Sequence, residues 1–229
     1  MYYLGIDLGS SSVKVALVEK ISGKSVAVVN EPEKEMDMLA LHSGWAEQQP
    51  EDWWKYVCKG IGKIKNQYNI SSDQIHGIGI SYQMHGLVLL DKEGKALRNS
   101  IIWCDSRAVG IGKQAFAELG TERCFTHLLN SPANFTASKL KWVRDNEPEI
   151  YNRTHKFMLP GDYIAYRFSG KMQTTVSGLS EGIFWDFKEN GIADFLLAYY
   201  GIDKKLIPEL VPTFGLQSEV SASGEGESG

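Results

Sequence analysis

The segment Asp7-Leu8-Gly9-Ser10-Ser11-Ser12 most constrains the fold, because it breaks two apolar runs with a polar, Gly-containing turn. Tyr2 to Ile6 and Val13 to Val18, on either side, have the residue types of β-strands, and Ser25 to Val29 reads as a third strand. The chain therefore opens as a β-meander. From Pro50 the period changes: Trp54, Val57, Cys58, Ile61 and Ile64 recur at helical spacing, with Glu51 and Asp52 in the first turn, where acids suit the helix dipole.

Strand-like runs return at Ile75 to Ser81, Gly86 to Leu90 and Ile101-Ile102-Trp103, with a turn at Asp91 to Gly94. Further helices are predicted at Val109 to Leu119, Ala137 to Asp145, Asp162 to Phe168 and Ala193 to Tyr200. Such mixing predicts an α/β layered domain, a mixed sheet flanked by helices. Residues 1–220 read as that domain. Ser221 to Gly229 is Ser, Gly and Glu apart from Ala222, and is predicted as a flexible or truncated tail outside the core.

Composition narrows the function. With 229 residues, 43% of them hydrophobic, the chain can bury a core. A net charge of -4 with scattered Lys and Arg offers no face to nucleic acid. Cys58, Cys104 and Cys124 lack zinc or redox spacing, which fits a reducing compartment. No basic leader precedes Asp7 and no apolar run nears the ~20 residues of a membrane span, so a cytoplasmic protein without membrane contact is expected.

The turn is the first candidate site. Asp7 ends a strand, Gly9, Ser10, Ser11 and Ser12 supply backbone N–H groups and hydroxyls, and Lys14 follows. These groups suit a metal-bound polyphosphate: the carboxylate for Mg²⁺ through water, the turn and lysine for phosphate oxygens. A plain hairpin with a serine-rich turn is the alternative on these residues alone.

Gly5-Ile6-Asp7-Leu8-Gly9-Ser10 resembles the first phosphate motif of the superfamily of sugar kinases, actin and chaperone ATPases, built on a ribonuclease H-like fold. Gly44-Trp45-Ala46-Glu47-Gln48-Gln49-Pro50-Glu51-Asp52-Trp53-Trp54 resembles a segment of the FGGY carbohydrate kinases. Gly77-Ile78-Gly79-Ile80-Ser81-Tyr82-Gln83-Met84-His85-Gly86 is similar to the sugar-pocket stretch of the family members that use xylulose, and Met84-His85 stands where glycerol users carry Arg-Glu. Ile102-Trp103-Cys104-Asp105-Ser106-Arg107 resembles the family's Trp-x-Asp-x-Arg segment. Asn134-Phe135-Thr136-Ala137-Ser138-Lys139 and Leu159-Pro160-Gly161-Asp162-Tyr163 resemble its two later site segments.

The resemblance implies a sugar site of Gln83, Met84, His85, Gly86, Trp103, Asp105, Arg107, Asn134 and Asp162. For Asp105 and Arg107 the residues alone read as a surface ion pair. Thr136 or Asn134 equally reads as a helix cap, and Asp162 as a first-turn acid. ATP as co-substrate with Mg²⁺, a ketopentose acceptor such as D-xylulose, and a homodimer of the full-length protein are consistent with the resemblance. It further implies a C-terminal domain absent from these residues, with the general-base Asp and the adenosine site beyond Gly229, so the chain alone is expected to be nearly inactive. Ribulose, rhamnulose, fuculose or gluconate as acceptor, and a sugar-binding module without phosphoryl transfer, are the competing readings. The stretch Thr174-Thr175-Val176-Ser177-Gly178-Leu179-Ser180-Glu181-Gly182 departs from the family pattern, which leaves that loop without an expected role.

Overall fold

The computed structural model describes residues 1–229. Strands β1 (Tyr2–Leu8), β2 (Val13–Glu19) and β3 (Ser25–Glu31) form the antiparallel meander. After a two-residue strand β4 (Glu47–Gln48) and helix α1 (Pro50–Tyr68), strand β5 (Ile75–Tyr82) returns parallel to β1, giving the sheet order β3-β2-β1-β5. Strict alternation sends Leu4, Ile6, Leu8, Val13, Val15 and Leu17 to one face, all buried, while Asp7 and Lys14 point to the other. Trp53, Val57, Ile61 and Ile64 of α1 pack on that apolar face. Each such burial contributes about 1.5–3 kcal/mol. Gly60 lets the helix backbone approach the sheet, since a Cβ there would lie 2.7 Å from Val15 Cγ2.

The next elements are β6 (Val88–Leu90), β7 (Ser100–Ile101), α2 (Val109–Leu119), α3 (Thr121–His127), α4 (Thr136–Asn146), α5 (Pro148–Arg153), β8 (Lys156–Met158) and α6 (Pro160–Ser169). They are followed by β9 (Gln173–Thr175), α7 (Val176–Glu181), α8 (Asp194–Tyr200) and α9 (Ala222–Ser228). β6 and β8 pair antiparallel and act as a partition. Val88, Leu90 and Met158 join the core under the sheet, whereas Leu87, Leu89 and Phe157 join a second core with Leu140, Phe184 and Tyr200. The period-2 pleat thus lets one short ribbon serve two cores.

Several expectations change. Ile102 and Trp103 lie outside β7, and α3, α5 and α7 were not foreseen. The supposed tail is helix α9, capped by the Ser221 side chain accepting from Gly224 N–H. Gly224 packs against the Phe168 backbone, and Glu227 accepts from Trp54 Nε1 and Arg167, each at 2.6 Å. Small residues permit that close approach and two charge-assisted bonds anchor it, so low hydrophobicity did not mean a free end. No helix is long and apolar enough to cross a membrane.

Candidate functional site

The first group of candidates lies at the β1–β2 turn. Gly9 N–H donates to Ser12 C=O at 3.0 Å, closing the loop, and Gln48 Nε2 and Met36 N–H hold the Ser10 and Ser11 carbonyls. Asp7 is half exposed; its Oδ1 accepts from Ser81 Oγ at 2.9 Å and its Oδ2 lies 3.6 Å from Lys14 Nζ. A cation and a carboxylate thus sit at a strand end beside a tight turn.

Gln83 links this turn to the second group. Its N–H donates to Leu8 C=O at 2.7 Å, extending the β1–β5 pairing past the strand end. Its side chain is buried and donates to Gln48 Oε1, which also accepts from Trp53 Nε1. Gln83 is thus a connector between strand, turn and helix α1.

His85 follows with φ 59°. That left-handed conformation is uncommon for a non-Gly residue, and it is stabilised from Glu181 at the end of α7. Glu181 Oε2 accepts from His85 N–H at 2.8 Å and lies 2.8 Å from His85 Nδ1, which also approaches the Glu181 carbonyl at 2.9 Å. Phe135 meets the imidazole edge-on at 4.4 Å. Gly86 has no room for a Cβ against Pro160.

His85, Glu181 and Phe135 line a pocket of about 320 Å³. His85, Asn130, Ser180 and Glu181 are its polar groups, with an apolar wall that includes Leu129, Phe135 and Ile183. Leu129 (φ 57°) and Ile183 (φ 62°) share the left-handed conformation of His85. Unfavourable backbone at three lining residues is the pattern of a site whose shape is maintained at some energetic cost.

The Trp-x-Asp-x-Arg segment is placed differently from the expectation. Asp105 and Arg107 are not a surface pair, and neither lines this pocket. Asp105 is fully buried and accepts from Arg107 through both oxygens and from Ala46 N–H at 2.7 Å. The Arg107 guanidinium also pairs with Glu47 at 2.7 Å and lies over Trp45, 3.7 Å from its centroid, with Trp142 beyond. A planar cation that fits a bidentate carboxylate and two rings is well matched to such a brace. Trp103 and Met84 remain about half exposed, and neither lines the pocket.

Asn134 and Thr136 do not cap α4. Asn134 Nδ2 donates to Asp105 C=O, Thr136 Oγ1 donates to Gly86 C=O at 3.3 Å, and Ala137 N–H is satisfied by Gly182 C=O. The helix start is therefore tied to the motif segments themselves. Lys139, one turn on, is fully buried and donates from Nζ to His85 C=O at 2.7 Å and Ile102 C=O at 2.9 Å. Burial pulls its pKa down to about 8. Asp162, in the first turn of α6, has its pKa pushed up to about 7, chiefly by burial, against an opposing effect of Thr174. Its Oδ2 has no hydrogen-bond partner.

Of the nine predicted sugar residues, His85 alone lines this pocket. Glu181 and Lys139 were missed. The available signals were a carboxylate at a helix C-terminus, where the dipole disfavours it, and a lysine in the apolar phase of α4. Capping of α7 by the Thr175 side chain at 3.1 Å was also readable.

The sheet, the phosphate-type turn and the flanking helices define a domain of the actin-like ATPase and sugar kinase fold. The solved "xyloylose kinase" from Brucella ovis matches it with a TM-score of 0.88 and 31% identity over 97% of this chain and 46% of that one. The model of the FGGY family of carbohydrate kinases, N-terminal domain, matches residues 2–229, and the chain belongs to that family. Curated xylulose kinases are similar: that of Bacillus subtilis is 34% identical over 92% of this chain, and that of Escherichia coli 31% identical over 98%. The chain spans 41% and 48% of the lengths of these two relatives.

Proposed function

We propose that this chain forms the sugar-binding and first phosphate-binding half of an ATP-dependent kinase that phosphorylates a ketopentose, with D-xylulose the preferred acceptor. The observation that carries the reading is the direct connection of the two groups. The Gln83 N–H to Leu8 C=O bond joins the strand end that leads to His85 with the strand end that leads into the phosphate-type turn. A primary hydroxyl held near His85 would then lie on the same end of the sheet as the terminal phosphate. In phosphoryl transfer the protein acts mainly by positioning and by stabilising charge.

Gly9, Ser10, Ser11, Ser12 and Lys14 would meet phosphate oxygens. Asp7 fits Mg²⁺ held through water, being a single, half-exposed carboxylate beside the turn. Such a site suits an ion that keeps most of its waters and borrows phosphate ligands. When bound, that ion would neutralise phosphate charge. The catalytic base and adenine pocket are assigned to the part of the relatives that this chain does not span, and the cellular setting to the cytoplasm.

Isothermal titration with D-xylulose, D-ribulose and glycerol tests the reading. D-Xylulose is expected to give the largest heat, reduced about tenfold in affinity by His85→Ala, the equivalent of about 1.4 kcal/mol. Preference for glycerol, or xylulose binding indifferent to His85→Ala, would reject it.

A further inference from the structure

Glu181 lies in the stretch Thr174 to Gly182, which departs from the family pattern, yet it makes more bonds to His85 than any other residue does. One oxygen, Oε2, reaches both the His85 N–H and Nδ1. The other, Oε1, is buried without a partner, and Glu181 lines the same pocket. Both side chains are about four-fifths buried, at 23% and 22% exposure, so the pair is shielded more than a surface ion pair.

These contacts determine the chemistry of the ring. A carboxylate oxygen and a carbonyl oxygen can only accept, so Nδ1 between them must carry the proton. Nε2 makes no bond within the protein and, in the neutral ring, is left as an acceptor. The same carboxylate stabilises the His85 backbone at φ 59°, an arrangement that Lys139 secures from the other side by bonding the His85 carbonyl.

We propose that Glu181 is a positioning residue for sugar recognition: it holds the His85 turn and fixes the imidazole as the Nδ1–H tautomer, so that Nε2 accepts a hydrogen bond from a hydroxyl of an uncharged sugar. This rests on the pocket being the sugar site. Glu181 Oε1 supplies a second acceptor at the same wall, which suits a ligand carrying two donating hydroxyls. The remaining wall is apolar and suits the carbon face of a small sugar.

The test is long-range ¹H–¹⁵N spectroscopy of the ¹⁵N-histidine-labelled chain at about pH 8, above the ordinary histidine pKa of ~6.5. His85→Ala identifies the His85 signals among the five histidines. The wild-type chain is expected to show a protonated Nδ1 and an unprotonated Nε2. Glu181→Gln is expected to keep this pattern, because an amide oxygen accepts the same two bonds, and Glu181→Ala to lose it to a mixture of tautomers. D-Xylulose affinity should fall about fivefold in Glu181→Ala, the loss of roughly one hydrogen bond. A protonated Nε2 in the wild-type chain overturns the proposal, whether or not the alanine variant folds; so does an unchanged pattern in Glu181→Ala. If His85→Ala leaves xylulose binding intact, the sugar-site reading fails, while the tautomer result still decides whether Glu181 sets the ring.

Discussion

The opening sheet and the pocket region are held together by different physics. The sheet is a period-2 structure whose apolar face, from Leu4 to Leu17, is covered by one stripe of α1. The pocket is assembled from turns and helix ends between Gln83 and Phe187, tied by buried polar groups: Asp105 with Arg107, Lys139 with two carbonyls, and Glu181 with His85. Apolar packing tolerates imprecision, whereas a buried polar tie is stabilising only when every partner is present. The two regions should therefore fail differently.

The largest effect is expected from Arg107→Ala. It leaves Asp105 as a buried carboxylate without its cation, while Glu47 keeps Arg98, and removes the stack on Trp45, so a loss of about 4 kcal/mol in urea unfolding is predicted. A loss below ~1 kcal/mol would show that the brace is dispensable. Leu8→Ala, a cavity beneath the sheet, should cost about 3 kcal/mol. Salt should barely change either value, because the Arg107–Asp105 pair is as buried as the cavity at Leu8.

A smaller effect is expected from Asp162. Its folded pKa of about 7 lies above the unfolded value of ~3.9, so the folded state holds the proton more tightly. Between those values the folded chain is protonated and the unfolded chain is not, and this contribution to stability falls as pH rises from about 4 to about 7. Asp162→Asn removes the titration, so relative to wild type it should gain about 2 kcal/mol between pH 5 and pH 7.5. Parallel pH profiles for the two proteins would place Asp162 in a more solvated setting than its packing indicates.

The same contrast explains what could be read from the sequence. Alternation and helical spacing are local, so β1, β2, β3, α1 and α2 were legible, with α2 ending at the expected residues Val109 and Leu119. The family motifs pointed to His85. The roles within the second region were not legible, because each is decided by a distant partner. Asp105 is a brace on account of Ala46 and Glu47, Asn134 on account of the Asp105 carbonyl, and Glu181 matters through His85, far away in sequence. Helix α9 escaped notice because its anchors, Trp54 and Arg167, lie on other helices.

The central claim is that sugar binds at the wall formed by His85 and Glu181, not along the Trp103 to Arg107 segment. Mapping amide chemical shifts of the ¹⁵N-labelled chain during titration with D-xylulose tests it directly. The account predicts saturable shifts concentrated at His85, Phe135, Ser180 and Glu181, with Arg107 unaffected. Shifts centred on Trp103, Asp105 and Arg107, with His85 and Glu181 silent, would contradict it.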